Sequence, residues 1–229
     1  ARTRSLALLA LVASLLAASA AVGQDRPPIP PTHPDRPQQP QRWQPGSSEA
    51  DLRYEHDGQA LRGFIVEPAR GSLRGTVLIV HQWTGLGDEE KERARMLAGL
   101  GYRAFAIDMY GDGVRAQDSD EAAELAGIYY ADRQLMRGRV EAAINALKDE
   151  GKLTDNLAAI GYCFGGTVVL ECARHGFDFD AVVSFHGGLT FESAPRRGQV
   201  TAAVLVCNGY DDPLVSIEDR NEFKREMAN

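Results

Sequence analysis

Residues 157–174 contain a short block that admits few folds. Leu157 to Tyr162 is an apolar run of strand length, Thr167 to Arg174 carries a helical pattern, and Gly161-Tyr162-Cys163-Phe164-Gly165 joins them. Small residues on both sides of a central nucleophile let the backbone turn sharply from strand to helix. The central side chain is thereby lifted above the end of the sheet. In open sheets flanked by helices, that end is where ligands bind. The turn also sets a thiol beside a helix N-terminus, whose partial positive charge favours thiolate. A buried structural cysteine in a glycine-rich turn is the competing interpretation of the five residues taken alone.

The remaining pattern agrees with a layered α/β domain. Leu52 to His56 and Leu61 to Val66, separated by Asp57-Gly58, predict an antiparallel hairpin. Thr76 to Val80, Arg103 to Asp108, Ala181 to Phe185 and Ala203 to Cys207 are short apolar runs suited to strands buried on both faces. Helical spacing covers Asp88 to Leu100, Asp120 to Tyr130, Leu135 to Lys148 and Ile217 to Met227. Strands alternating with helices of this length imply βαβ units and a mostly parallel, doubly wound sheet with helices on both faces.

The N-terminal region reads differently. Arg2 and Arg4 precede an apolar run from Leu6 to Leu16 and then Ala17, Ala18, Ser19 and Ala20, the form of a secretory signal peptide over residues 1–23. Residues 24–48 are dominated by Pro, Gln and Arg, which predicts an extended linker ahead of a domain spanning 49–229. A secreted or periplasmic location follows, with no stable membrane insertion once the signal is removed. The segment opens on Ala1 without Met, and Asn229 falls at the end of a predicted helix, so a fragment of a longer chain is expected. The formal net charge of −7 argues against nucleic acid as a partner. Three cysteines leave at least one thiol free, and Cys172 and Cys207 sit in apolar surroundings. No ligand spacing points to a metal, and no cofactor is expected.

Two loops complete the candidate site. Asp211 and Asp212 follow the Ala203 to Cys207 strand, where an acid would orient a catalytic histidine; the order nucleophile then acid is the one this topology uses. His81-Gln82-Trp83-Thr84-Gly85 follows the first buried strand and can supply one backbone N–H of an oxyanion hole, Phe164 supplying the other.

The segments VLIVHQWTGL, AFAIDMYGDG, GYCFGG, VSFHGG and NGYDDPLV together resemble the dienelactone hydrolase family, over nearly the whole chain from Ala50 onward. The resemblance implies an α/β-hydrolase fold and a Cys-His-Asp triad acting on small-molecule esters or lactones through an acyl-thioester. It puts the nucleophile on Cys163, the acid on Asp212 and the oxyanion donors on the backbones of Trp83 and Phe164. His81, Gln82, Tyr110 and His186 are expected around the pocket, with the last strand, helix and catalytic histidine expected beyond Asn229. Two positions depart from the family pattern: Gln82 stands where a glutamate commonly contacts the resting cysteine, and Asp112 where an arginine would hold a substrate carboxylate. A non-catalytic binding protein on the same fold is the alternative function. A thiol redox protein is a third, weakened by the lack of a C-x-x-C.

Overall fold

The computed structural model describes residues 47–69, 71, 73–192 and 194–228. The signal peptide and almost all of the linker expected at the N-terminus lie outside the described residues. β1 (Ser48–His56) and β2 (Gln59–Glu67) form the hairpin, closed by Asp57 and Gly58 at φ 50° and 74°. Positive φ at both central residues is what a two-residue turn needs to match the twist of its strands. Then follow β3 (Thr76–Val80), α1 (Asp88–Gly99), β4 (Arg103–Ile107), α2 (Ser119–Ala131), α3 (Arg133–Asp149), β5 (Leu157–Tyr162), α4 (Phe164–Arg174), β6 (Ala181–Phe185), β7 (Ala203–Cys207) and α5 (Ile217–Met227).

The seven strands form one sheet in the order β1-β2-β4-β3-β5-β6-β7. β1 and β2, and β2 and β4, pair antiparallel; the other neighbours are parallel. Alternation along each strand divides the core. Leu78, Val80, Phe105, Ile107 and Ala159 pack on one face with α3 and α4, through Val140, Ile144, Val168 and Leu170. Val77, Ile79, Ala104, Ala106 and Ile160 pack on the other with Ala94, Leu97 and Ala98 of α1. Successive side chains enter opposite faces, and because helices cover both, strands so short read as unbroken apolar runs.

From β3 the chain moves to β4 on one side, and from β5 to β6 on the other. β3 and β5 are neighbours, with Val80 opposite Gly161. Their carboxyl ends therefore flank the switch point of the sheet, the crevice where such folds take ligands. α5 has no residue of its own buried as core, yet it is fastened from below. Glu226 meets the buried Arg174 of α4 through two bonds of 2.6 and 3.0 Å, and the guanidinium also donates to the Leu189 carbonyl at 2.7 Å.

Candidate active site

Cys163 stands between β5 and α4 at φ 53°, ψ −114°, a conformation that costs a non-glycine residue about 1–3 kcal/mol. Its N–H donates to the Phe185 carbonyl at 2.9 Å, which ties the turn to β6. α4 starts at Phe164, three residues earlier than the helical pattern predicts, so the turn has no slack. A Cβ on Gly161 would overlap the Gly165 carbonyl, and one on Gly165 would overlap the carbonyls of Val80 and His81. The two glycines of the pentapeptide are there for close backbone approach.

The thiol is half-buried. Burial pushes its pKa above the ordinary value, the Phe164 N–H aimed at the sulfur opposes that, and the Asp212 carboxylate adds to it. Desolvation thus outweighs the helix N-terminus, contrary to the expectation of a favoured thiolate. Asp212 accepts from the Leu214 N–H at 2.9 Å, and Asp211 is exposed. Replacing Asp212 by Asn removes a negative charge that disfavours thiolate. Alkylation of Cys163 in that variant is expected to reach half-maximal rate at lower pH than in the native chain; an unmoved or raised midpoint would show that the carboxylate does not face the sulfur.

The loop after β3 divides its residues. His81 is fully buried; its Nε2 accepts from the Met109 N–H at 3.2 Å and its Nδ1 lies 2.5 Å from the Gln82 carbonyl. That pair of partners defines the neutral Nδ1–H tautomer, and burial lowers the imidazole pKa. His81 therefore props the loop from beneath instead of opening onto a pocket. Trp83 is 38% exposed, its N–H has no backbone acceptor among the described residues, and its carbonyl accepts from Tyr110 Oη at 2.9 Å. His186 is exposed at φ 41°, with its N–H on the Cys207 carbonyl at 2.8 Å.

Gln82 turns toward α1, donating its side-chain N–H to Glu89 at 2.5 Å, while its backbone N–H points at Glu90 at 3.4 Å. A carboxylate at position 82 would face Glu89 carboxylate to carboxylate. One of the pair then titrates above its unfolded value, so the penalty is absent in acid and appears as the pH rises through that folded-state pKa. Gln82→Glu is expected to lose about 0.5–1 kcal/mol of stability at neutral pH and nothing near pH 3 (exposed like-charge pair;). Parallel melting temperatures across pH would refute the contact.

Several organising groups carry no sequence motif. Asp108, buried at the end of β4, accepts N–H bonds from Arg62, Tyr110 and Gly111, each at 3.0 Å. Asp112 pairs with Arg62 Nε at 2.6 Å, so its charge is compensated. Tyr130, at the end of α2, places its ring 5.6 Å from that of Phe164. Its only trace in the sequence is an aromatic next to another aromatic in a helix, and which of the two faces the site is decided by how α2 packs. Cys207 ends β7, two strands from the turn, and strand spacing alone separates it from Cys163 by about 9–10 Å, beyond disulfide reach.

A mostly parallel sheet layered by helices, with a strained cysteine on the strand-to-helix turn at its switch point, defines an α/β-hydrolase fold. The family model described as dienelactone hydrolase family matches residues 61–229, and the chain belongs to that family. Similar solved structures include a dienelactone hydrolase-like promiscuous phosphotriesterase from metagenomic libraries, 37% identical, TM-score 0.74, covering 80% of this chain and 77% of that one. An uncharacterized protein of Caenorhabditis elegans is 40% identical over 95 residues, 40% of this chain and 60% of its own. The carboxymethylenebutenolidase of Pseudomonas putida is 24% identical over 171 residues, 72% of each. The chain spans 60% of the worm protein and 45% of a Methylorubrum extorquens relative. Among the described residues no helix is long and apolar enough to cross a membrane.

Proposed function

We propose that the protein hydrolyses small-molecule esters or lactones, with Cys163 as the nucleophile. The carrying observation is the conformation of Cys163: a backbone held at φ 53° by glycines on both sides has no structural benefit that a buried thiol would need. Strain of this kind, at the switch point of a sheet, is a mark of a functional turn. In this proposal the sulfur attacks the carbonyl carbon as a thiolate, and the carbonyl electrons move onto oxygen. The N–H groups of Trp83 and Phe164 receive that charge. Collapse breaks the bond to the alcohol oxygen, which leaves with a proton, and water then releases the acid from the thioester.

The raised thiol pKa means that a base must take the proton before attack. His81 has both ring nitrogens engaged and is no candidate. The proposal takes the base from a histidine following Asp212 in chain order, as this fold arranges its triad. Export by the N-terminal segment, and so a secreted or periplasmic site of action, belongs to the same proposal.

A binding protein on this fold is the second reading. It is favoured by one observation: the side chain of Gln82, in the loop after β3, is engaged with Glu89 of α1. Single-turnover reaction with 4-nitrophenyl acetate separates the two. The hydrolase reading expects release of 4-nitrophenol and an acetyl group that mass spectrometry finds on Cys163, ahead of the buried Cys172 and the edge-strand Cys207. Acetylation spread evenly over the three thiols, or absent from Cys163, would leave the binding reading.

A further inference from the structure

The large apolar side chains that remain exposed are unevenly distributed. Trp83, Val114, Tyr210, Leu214 and Ile217 follow the carboxyl ends of β3, β4 and β7, and Ile128 and Tyr130 close α2 just before α3 turns back along the sheet. Among the described residues only Leu73 is a comparable side chain ahead of a strand. Exposed apolar surface gathered at one edge marks a binding surface more than a random scatter does.

Tyr130 is the member best placed against the turn. Its ring meets Phe164 edge-on at 5.6 Å with planes at 79°, and the Arg133 guanidinium lies over the ring, 5.5 Å from its centroid. Burial raises the pKa of the phenol, with Thr167 lowering it and the nearby Cys163 adding to the rise; the Thr167 hydroxyl itself accepts the Gly188 N–H at 2.9 Å. Tyr110 is also within the electrostatic reach of the thiol and packs 5.6 Å from Phe164. Of the formal charges nearby, Asp112 is paired with Arg62, Glu89 takes the Gln82 amide, and Asp212 acts on the sulfur as a negative charge. Arg133, over the Tyr130 ring, is the cation that opposes them.

Resting on the assignment of Cys163 as nucleophile, we propose that the substrates are uncharged esters carrying an aromatic ring beside the reacting carbonyl, which Tyr130 and Trp83 receive. A flat, fixed ring offers an incoming ring offset or edge-on contact with little loss of side-chain freedom. A carboxylate in the same place would be repelled by Asp212 and would lose part of its hydration against the aromatic rings.

Three alkylating reagents test this without turnover: N-phenyliodoacetamide, iodoacetamide and iodoacetate. In each the Cys163 sulfur forms a bond to the methylene carbon and iodide leaves. Rates are divided by those of free cysteine at the same thiolate fraction. The phenyl reagent is expected to exceed iodoacetamide about fivefold and iodoacetate to fall below it about threefold (order-of-magnitude factors for ring contact and a nearby like charge;). Tyr130→Ala and Trp83→Ala, both at exposed positions, should bring the phenyl ratio toward one. A phenyl ratio near one in the native chain overturns the proposal. So does an excess for iodoacetate that Arg133→Gln removes, which would make Arg133 an anion receptor. Mass mapping keeps the two levels apart: label found mainly on Cys172 or Cys207 defeats the nucleophile assignment itself, whatever the ratios.

Discussion

Cys163→Ala is expected to abolish the acyl adduct and to lower ester turnover by at least about 10³-fold, the loss seen when a covalent nucleophile is removed from a site that keeps its oxyanion donors. Folding should survive, since the side chain is only half-buried and Ala needs no new space. Cys163→Gly is the more informative partner. At φ 53° a glycine relieves a strain of about 1–3 kcal/mol, against an entropic cost of about 0.5–1 kcal/mol for glycine in place of a side chain. The glycine variant should therefore be inactive and about 1 kcal/mol more stable, a rise of about 2–4 °C in melting temperature for a chain of this size. Thermal melts and nitrophenol release, measured on the same samples, check both halves. An inactive variant that also melts lower would mean that the turn is not strained, and the main support for the functional reading would go with it.

The second large effect is on the fold. Gly165→Ala places a methyl group against the carbonyl oxygens of Val80 and His81, backbone atoms at the end of the central strand, with no flexible side chain to move aside. Either α4 lifts from β3 or the turn changes, and both expose core; a loss of more than about 4 kcal/mol is expected, among the largest single-residue effects. Gly127→Ala is the matched control. Gly127 lies within α2 with nothing near its missing Cβ, so alanine there should gain up to about 1 kcal/mol from helix propensity. Denaturant unfolding of the two variants should move in opposite directions. Similar midpoints would contradict the close packing of turn on strand.

Much of the architecture is readable from local pattern. Thr76–Val80, Leu157–Tyr162, Ala181–Phe185 and Ala203–Cys207 are strands over the spans their apolar runs mark. The Asp57-Gly58 turn is equally legible, because few residue pairs adopt positive φ together. Helix starts are less so. Arg133 opens α3 behind the cap of Asp132, and Phe164 opens α4 directly after Cys163; both lie before the periodic apolar residues begin. Caps and turns set a helix start, and they leave a fainter trace than an apolar face.

The site shows the same division. Its nucleophile turn could be found because everything it needs is contiguous: a buried strand, two glycines that allow backbone contact, and a helix. The loops expected to meet it are placed by sheet order, which chain order constrains through short parallel connections. What each side chain in those loops does was open until the tertiary structure brought distant partners together. His81 is a buried prop because Met109, 28 residues on, donates to it. Gln82 looks away from the thiol because α1 offers Glu89. Asp112 carries no free charge because β2 supplies Arg62. The resting protonation of Cys163 is likewise a sum over burial, one N–H and a carboxylate 49 residues away. Backbone conformation answers to near neighbours, so local sequence determined the strands and the elbow; electrostatics and hydrogen bonding answer to distance in space, and only the packed chain decided those.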